Sequence, residues 1–219
     1  MLVHGTSAEG PAWAAVIPLL EAAGVRVTTV ETPLTSLGDL VAETRRVLAL
    51  QDGPTVLVGH VWGGTVTSEV GMDPKVSALV YLEATAPEAG EDFAALSARF
   101  PTQQPTEASL VSTKTDTTAW RDKPSFYALS QQGGPITPDL QRFFASRMKA
   151  KTIALDTGAL LSSHPREIAG LILEAAGMKP APCGTETGSE TAACAAPALP
   201  RSLAEGCKCT KDSPDLTSP

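Results

Sequence analysis

Residues 55–67 read T-V-L-V-G-H-V-W-G-G-T-V-T. The first four, Thr55 to Val58, are β-branched or apolar, which is typical of a short buried strand. Gly59 and Gly63 follow with three residues between them, a spacing that brackets a sharp bend centred on Val61. Glycine is expected on both sides of such a bend because a Cβ there would collide with neighbouring backbone. The stretch therefore predicts a strand, a tight bend and a helix.

Strand-like and helix-like segments alternate on both sides of this bend. Alternation of this kind predicts parallel strands joined by right-handed helical crossovers, a doubly wound α/β fold. The other predicted strands are Met1 to His4, Val25 to Val30, Val76 to Glu83, Ser125 to Ser130 and Lys151 to Leu155, and the other predicted helices are Pro11 to Ala23, one opening at Ser36, Pro138 to Met148 and Pro165 to Gly177.

Composition narrows the class of protein. The chain has 219 residues, 42% of them apolar and 19% charged, with a net charge of −7. This length suits one α/β domain, and the acidic balance argues against a nucleic-acid partner. No apolar run approaches the roughly 20 residues of a membrane helix, and the start of the chain has no leader-like pattern. We therefore expect a cytoplasmic protein with no membrane partner.

Five short motifs are spread over the chain. They are His4-Gly5, G-H-V-W-G-G at 59–64, A-P-E-A-G-E at 86–91, P-D-L-Q-R-F at 138–143 and S-H-P-R-E-I-A at 163–169. Together they resemble the small α/β-hydrolases of the esterase and hydroxynitrile-lyase type, over about residues 1–91 and 120–177. The resemblance implies the α/β-hydrolase form of the doubly wound, mostly parallel sheet, in which the bend is a nucleophile elbow.

The resemblance also implies a triad of serine, acid and histidine. The serine would stand at the centre of the elbow, where this chain has Val61. Counting back from Pro138 places the acid at Gly133, and counting back from Pro165 places the histidine at Gly158. All three functional groups are missing. Losses at three separate loops predict that triad chemistry is absent, either through natural decay or by design.

What the family frame would retain is its set of backbone donors. The resemblance implies that the loop Gly5-Thr6-Ser7 supplies one oxyanion-hole N–H and that the amide of Trp62 supplies the other. We therefore predict an oxyanion hole or ligand pocket formed by Thr6, Ser7, His60 and Trp62, with no metal and no cofactor. Its expected occupant is a small carbonyl-bearing or apolar ligand.

The three histidines of the chain are predicted to be structural. His4 and His60 adjoin the motif loops and are expected to pack and hydrogen-bond beneath them. His164 precedes Pro165, which favours an extended conformation at the start of a helix over a role as catalytic base.

Other polar residues near the triad positions are also expected to be structural. Asp156 is interpreted as an exposed loop carboxylate or a helix cap, and Thr65 and Thr67 as packed residues of the elbow helix. Glu83 ends a strand at the active-site edge, so it is the most interesting carboxylate left. Carboxylates are seldom buried, so we predict that Glu83 is solvated.

Two segments lie outside the regular pattern. Residues 92–118 are rich in Thr, Ser, Gln and Pro, and at this place the family carries a lid; a shortened lid and a disordered loop both remain open. Residues 178–219 are predicted to be a disordered tail after a body of 1–177. All four cysteines lie in this tail: Cys183, Cys194, Cys207 and Cys209. Their spacing does not fit a zinc site, and inert thiols are favoured over two disulfides.

The functional prediction is an esterase-related α/β-hydrolase fold that is catalytically degenerate and retains at most ligand or partner binding. The alternative is an active hydrolase, lyase or cyclase that uses residues outside the triad. A decayed relative without a molecular role is the third possibility.

Overall fold

Six parallel strands form one sheet in the order β2-β1-β3-β4-β5-β6. The computed structural model describes residues 1–5, 13–30, 36–91, 95–96, 98–100, 114–134, 136–157 and 159–178. The chain separates into two units, Met1–Pro182 and Cys183–Pro219, and all described residues belong to the first. The strands are β1 (Leu2–Val3), β2 (Thr29–Val30), β3 (Thr55–His60), β4 (Val76–Leu82), β5 (Ser125–Ser130) and β6 (Lys151–Leu155).

The strand order has a switch point between β1 and β3. From β1 the chain moves outward to β2, and it then crosses back so that β3 to β6 extend the sheet in the other direction. In sheets of this kind the crevice for a ligand opens at the carboxyl ends of the strands beside the switch point. The ends of β1 and β3 carry Gly5 and Val61, so the topology places the predicted elbow at this crevice.

Helices cover both faces of the sheet, as the doubly wound prediction requires. They are α1 (Ile17–Ala22), α2 (Leu37–Ala49), α3 (Gly63–Val70), α4 (Pro138–Met148), α5 (Leu160–Ser163) and α6 (Pro165–Ala175), with a 3-10 turn at Ala119–Arg121. Alternate strand residues belong to two apolar cores. Leu57 and Tyr81 pack with residues of α2, α3 and α4, whereas Val58 and Leu82 pack with residues of α1 and α6.

Two predicted elements at the start of the chain are shorter than expected. The helix predicted from Pro11 begins only at Ile17, and Pro18 lies in its first turn, where its missing N–H costs no hydrogen bond. The strand predicted over 25–30 is reduced to Thr29–Val30, because it pairs only with the two residues of β1. The length of the partner strand therefore decides the length of this edge strand.

Arg147 in α4 binds the segment that follows β4. Its guanidinium donates to both carboxylate oxygens of Glu91, at 2.9 and 3.0 Å, and to the carbonyl oxygen of Ala86 at 2.6 Å. The same group lies over the rings of Phe143 and Trp120, 4.9 and 5.4 Å from their centroids. Paired, partly buried and stacked in this way, Arg147 holds the start of the predicted insertion against α4.

The end of the insertion is held by α3. The carboxylate of Glu69 accepts hydrogen bonds from the backbone amides of Asp116 and Thr117, and Thr115 donates to the carbonyl of Glu88 at 2.9 Å. Most of the interior of 92–118, and residues 179–219 of the predicted tail, lie outside the described residues, so the lid and the tail stay predictions.

Across the described ranges no helix combines the length and apolar character needed to cross a membrane.

Candidate functional site

The elbow is present where the sequence places it. Val61 follows β3 directly and has φ 51°, a left-handed conformation that is a genuine outlier for a β-branched residue. Its amide donates to the carbonyl of Leu82 at 3.2 Å, and its carbonyl accepts from the amide of Thr85 at 3.0 Å. The end of β4 and the segment that follows it therefore hydrogen-bond both backbone groups of Val61, which is only 6% exposed.

Each glycine around the bend is required by a close backbone approach. A Cβ at Gly59 would lie 2.5 Å from the carbonyl oxygen of Gly63, and one at Gly63 would lie 2.4 Å from the carbonyl oxygen of Val3. At Gly64 a Cβ would lie 2.2 Å from the carbonyl oxygen of Thr85. These distances leave no room for a side chain, which gives the glycine spacing of the sequence its physical cause.

The end of β1 meets the elbow. A Cβ at Gly5 would lie 3.0 Å from the Cβ of Val61 and 3.6 Å from the amide nitrogen of Trp62. Trp62 is 8% exposed, and the ring of His4 is hydrogen-bonded at 2.7 Å to the carbonyl of Gly5. Thr6 and Ser7, the other predicted members of the oxyanion hole, lie outside the described residues. Of the predicted oxyanion hole or ligand pocket, the described residues are therefore His60 and Trp62, and Gly5 and Val61 lie beside Trp62.

His60 packs beneath the elbow with its ring edge against Trp13, at 6.0 Å between centroids. Burial lowers the pKa of His60 to about 4, and the nearby His4 contributes in the same direction. His60 is consequently neutral at pH 7, which agrees with the structural role predicted for it.

We expect the half-buried, neutral His60 to make folding pH-dependent. The unfolded imidazole takes up a proton near pH 6.5, whereas the folded one does so only near pH 4, so stability is complete above pH 6.5 and declines as the pH falls towards 4. Between pH 7 and pH 5 this amounts to roughly 2 kcal/mol. Urea unfolding should therefore show that the free energy of unfolding of His60→Gln falls by roughly 2 kcal/mol less between pH 7 and pH 5 than that of the unmodified chain.

His164→Gln is the matched control, since His164 is paired locally with Glu167 at the surface. This variant should keep the pH dependence of the unmodified chain. An identical slope for His60→Gln and the unmodified chain would contradict the prediction.

The loops that the sequence assigns to the acid and the histidine lie side by side. The acid loop, residues 131–134, follows β5, and residues 156–157 follow the neighbouring β6. The hydroxyl of Ser130 donates to the carbonyl of Thr157 and also lies 3.3 Å from the carbonyl oxygen of Gly133. Gln132 donates to the carboxylate of Asp156 at 3.0 Å. Gly133 has φ 84°. Gly158 lies outside the described residues, but its neighbour Thr157 joins the acid loop through Ser130.

The prediction that Glu83 is solvated is wrong. Glu83 is 2% exposed and has φ 48°, the second left-handed non-glycine residue at this edge. Its amide continues the ladder to the carbonyl of Ala128 at 2.8 Å. A Cβ at Gly134 would lie 2.1 Å from Oε1 of Glu83, so the acid loop covers the carboxylate directly. The only trace of this contact in the sequence is the absence of a side chain at Gly134.

Gln141 in α4 completes the cover over Glu83. Gln141 is fully buried; its Oε1 accepts from the amide of Ser130 at 2.9 Å, and its Nε2 donates to the carbonyl of Ile136 at 2.8 Å. Nε2 also lies 3.5 Å from Oε1 of Glu83. Tyr127 stands on the sheet nearby, and its pKa is raised well above the usual value mainly by burial, with the charge of Glu83 adding to the effect. Sequence reasoning missed this network entirely.

The remaining candidates have local roles. Thr65 shares a hydrogen bond of 2.6 Å with the hydroxyl of Thr85, and Thr67 is fully buried, as expected for packed residues of α3. His164 begins α6 as predicted, although its ψ of 49° is not extended, and its ring lies 3.3 Å from the carboxylate of Glu167. Across the described ranges no three His, Cys, Asp or Glu side chains gather in a way that could hold a metal ion.

An open parallel sheet with a glycine-flanked, left-handed bend after the strand at its switch point defines the α/β-hydrolase architecture. The sequence profile of the alpha/beta hydrolase family matches residues 1–181. The chain therefore belongs to the alpha/beta hydrolase family.

Individual relatives agree with this assignment. Over 102 residues the chain is 39% identical to a pyrethroid hydrolase of Sphingobium wenxiniae, an overlap of 40% of this chain and 36% of that enzyme. The crystal structure of a pyrethroid hydrolase from Sphingobium faniae JZ-2 superposes with a TM-score of 0.59 at 20% identity, over 80% of this chain and 96% of that one. The crystal structure of polyneuridine aldehyde esterase superposes with a TM-score of 0.66 at 18% identity, over 80% of this chain and 97% of that one. At these identities the structural likenesses establish the fold alone.

Proposed function

We propose that this chain is a catalytically degenerate member of its family that binds a small carbonyl-bearing or apolar ligand at the elbow. The observation that carries the proposal is Val61. A valine at φ 51° stands at the position from which the elbow presents its nucleophile, and an aliphatic side chain cannot attack a carbonyl carbon. The positions counted in the sequence as those of the acid and the base are Gly133 and Gly158, and a glycine has no side chain that could take either role.

Apolar surroundings support the ligand class. Val61 and Trp62 belong to one apolar cluster with Leu96 and Ala86, and the side chains at the elbow keep a small exposed fraction. The amide of Trp62 precedes α3, whose amino-terminal end favours a partial negative charge such as a carbonyl oxygen. A compact ligand with an apolar body and one carbonyl group matches both features.

We propose the cytoplasm as the compartment of this protein, since residues 1–177 contain no cysteine that could form a disulfide.

Measurements of ester hydrolysis test whether the chain lacks catalytic activity. The unmodified chain should hydrolyse p-nitrophenyl acetate no faster than a heat-denatured sample, and a fluorophosphonate probe should not label it. Saturable turnover that disappears in His164→Ala would overturn the proposal and make His164 a base.

Binding tests the ligand. Acetophenone, followed by calorimetry or by chemical-shift changes, should bind the unmodified chain and bind Val61→Phe much more weakly, because the larger side chain would occupy the place proposed for the ligand. Leu50→Ala is the control, since Leu50 is 68% exposed at the end of α2. Failure to bind, or equal binding by Val61→Phe, would refute the proposed ligand site.

A second candidate is an active hydrolase, lyase or cyclase that uses residues outside the triad. The buried carboxylate of Glu83 at this edge is the observation in its favour, because a buried carboxyl group is a usual general acid or base. Turnover by the unmodified chain that is lost in Glu83→Gln, with His164→Ala unaffected, would favour this candidate.

A further inference from the structure

We infer that Tyr127 is a positioning residue for the amide of Trp62, and that it acts on this amide through two successive peptide groups of the backbone. The side chain of Tyr127 does not touch the ligand; it directs the N–H that the proposed function assigns to the carbonyl group of the ligand. The inference rests on the proposed function in that one respect. Tyr127 lies in β5, outside all five sequence motifs.

The first peptide group is that of the elbow. The carbonyl oxygen of Val61 accepts a hydrogen bond from the amide of Thr85 at 3.0 Å, whereas the amide of Gly64 is farther away, at 3.3 Å. The peptide bond between Val61 and Trp62 is trans and planar, so its carbonyl and its N–H point in opposite directions. Because Thr85 holds the carbonyl of Val61, it also sets the direction of the Trp62 N–H.

The second peptide group repeats this arrangement one step farther from the elbow. The hydroxyl of Tyr127 donates to the carbonyl of Ala84 at 2.6 Å, and the amide of Ala84 donates to the same hydroxyl at 3.1 Å. The carbonyl of Ala84 and the N–H of Thr85 belong to one trans peptide group. A relay of hydrogen bonds therefore runs from Tyr127 through two peptide groups to the N–H of Trp62.

Every donor in this relay points towards the elbow. Hydrogen bonds aligned in this way polarise one another, so each strengthens the one that follows. Burial is the main cause that raises the pKa of Tyr127 well above its usual value, which keeps the hydroxyl protonated at pH 7. Tyr127, Ala84 and Thr85 are fully buried, so bulk water does not compete with these hydrogen bonds.

Helix α3 holds the residue that connects the two peptide groups. The hydroxyl of Thr85 shares a hydrogen bond of 2.6 Å with that of Thr65 and lies 3.3 Å from the carbonyl oxygen of Val61. A Cβ at Gly64 would lie 2.2 Å from the carbonyl oxygen of Thr85, so the backbones of α3 and Thr85 are in close contact. Loss of the Thr85 hydroxyl should therefore loosen the same relay at its centre.

Tyr81 provides the matched control for Tyr127. Both side chains are fully buried, and their rings are stacked with 6.2 Å between centroids. The hydroxyl of Tyr81 is instead hydrogen-bonded at 3.1 Å to that of Ser68 in α3. Tyr81→Phe and Tyr127→Phe thus each remove one buried hydroxyl, and only the second removes a donor of the relay.

The first experiment compares acetophenone with ethylbenzene, which has a similar shape but no carbonyl group. Tyr127→Phe should weaken the binding of acetophenone about 5-fold and change that of ethylbenzene less than about 2-fold, because only the carbonyl group contacts the Trp62 amide. Thr85→Val should act in the same way, and it decides the test if Tyr127→Phe does not fold. Thr85→Ser, which keeps the hydroxyl, should recover most of the affinity, and Tyr81→Phe should leave both affinities unchanged. Equal losses for the two compounds, or undiminished binding of acetophenone, would overturn the inference.

The second experiment measures the direction of the N–H bonds without a ligand. Residual dipolar couplings of the Thr85 and Trp62 amides, measured by NMR, should differ between Tyr127→Phe and the unmodified chain, and those of the α2 amides should agree. In Tyr81→Phe the couplings of Thr85 and Trp62 should stay as they are in the unmodified chain. Unchanged couplings of these two amides in Tyr127→Phe would also overturn the inference. If the unmodified chain binds neither compound, the proposed function fails, and the couplings alone decide the inference.

Discussion

Val61→Ser combined with Gly158→His is expected to hydrolyse p-nitrophenyl acetate about 100-fold faster than either single variant, because nucleophile and base act as one unit. Serine alone would keep a nearly unperturbed hydroxyl, and histidine alone would have no hydroxyl to deprotonate. The elbow suits the change, since its left-handed backbone at φ 51° is already present and serine carries one γ atom where valine carries two.

Leu50→Ser combined with Gly158→His is the matched control, because it adds a serine on a side chain that is 68% exposed, away from the bend. This control should show only the background rate. A fluorophosphonate probe should label the Val61→Ser variants at position 61 and leave the control unlabelled. Rates in the double variant that equal the sum of the two single variants would contradict the placement of the triad positions.

Gly64→Ala is expected to destabilise the fold by about 4 kcal/mol or more, the largest loss of stability that we predict for a single methyl group. The added Cβ would lie 2.2 Å from the carbonyl oxygen of Thr85 and 2.7 Å from the Cβ of Ala84. Neither atom belongs to a flexible side chain, so α3 and the chain after β4 would have to separate. That movement would also disturb the hydrogen bond from Thr85 to Val61.

Gly53→Ala provides the comparison, since a Cβ at Gly53 meets nothing within 4 Å. Its free energy of unfolding in urea should stay within about 0.5 kcal/mol of the unmodified value. Equal stabilities for Gly64→Ala and Gly53→Ala would mean that the close approach around the elbow carries no energetic weight.

The elements predicted most accurately are those with local signals at their ends. The helix Pro138–Met148 has the predicted bounds because Thr137 caps it, accepting a hydrogen bond from the amide of Leu140, and because Pro138 suits its first turn. The strands Ser125–Ser130 and Lys151–Leu155 also have the predicted bounds, since each is a short β-favouring run between turns. The early strand over 25–30 was predicted too long, because its length depends on a partner that is distant in the sequence.

Among the site residues, position was easier to predict than environment. The loops of Val61 and Gly133 end parallel strands of one sheet, and such ends share an edge of the sheet, so their common edge follows from the strand pattern. The burial of Glu83 does not follow, because it depends on Gly134 and on Gln141, which is 58 residues away in the chain. A strand-end glutamate has the same local sequence whether water or a loop covers it.

By itself, the sequence determined the alternation of strands and helices, the glycine-bounded bend and the identity of the residues at its centre, because backbone geometry and side-chain chemistry are properties of local stretches. Only the tertiary structure decided what surrounds those residues. Four features arise where separate segments of the chain meet. They are the left-handed backbone of Val61, the neutral imidazole of His60, the buried carboxylate of Glu83 and the ion pair between Arg147 and Glu91. Burial and charge depend on three-dimensional neighbours, and these neighbours are brought together by the packing of the whole sheet.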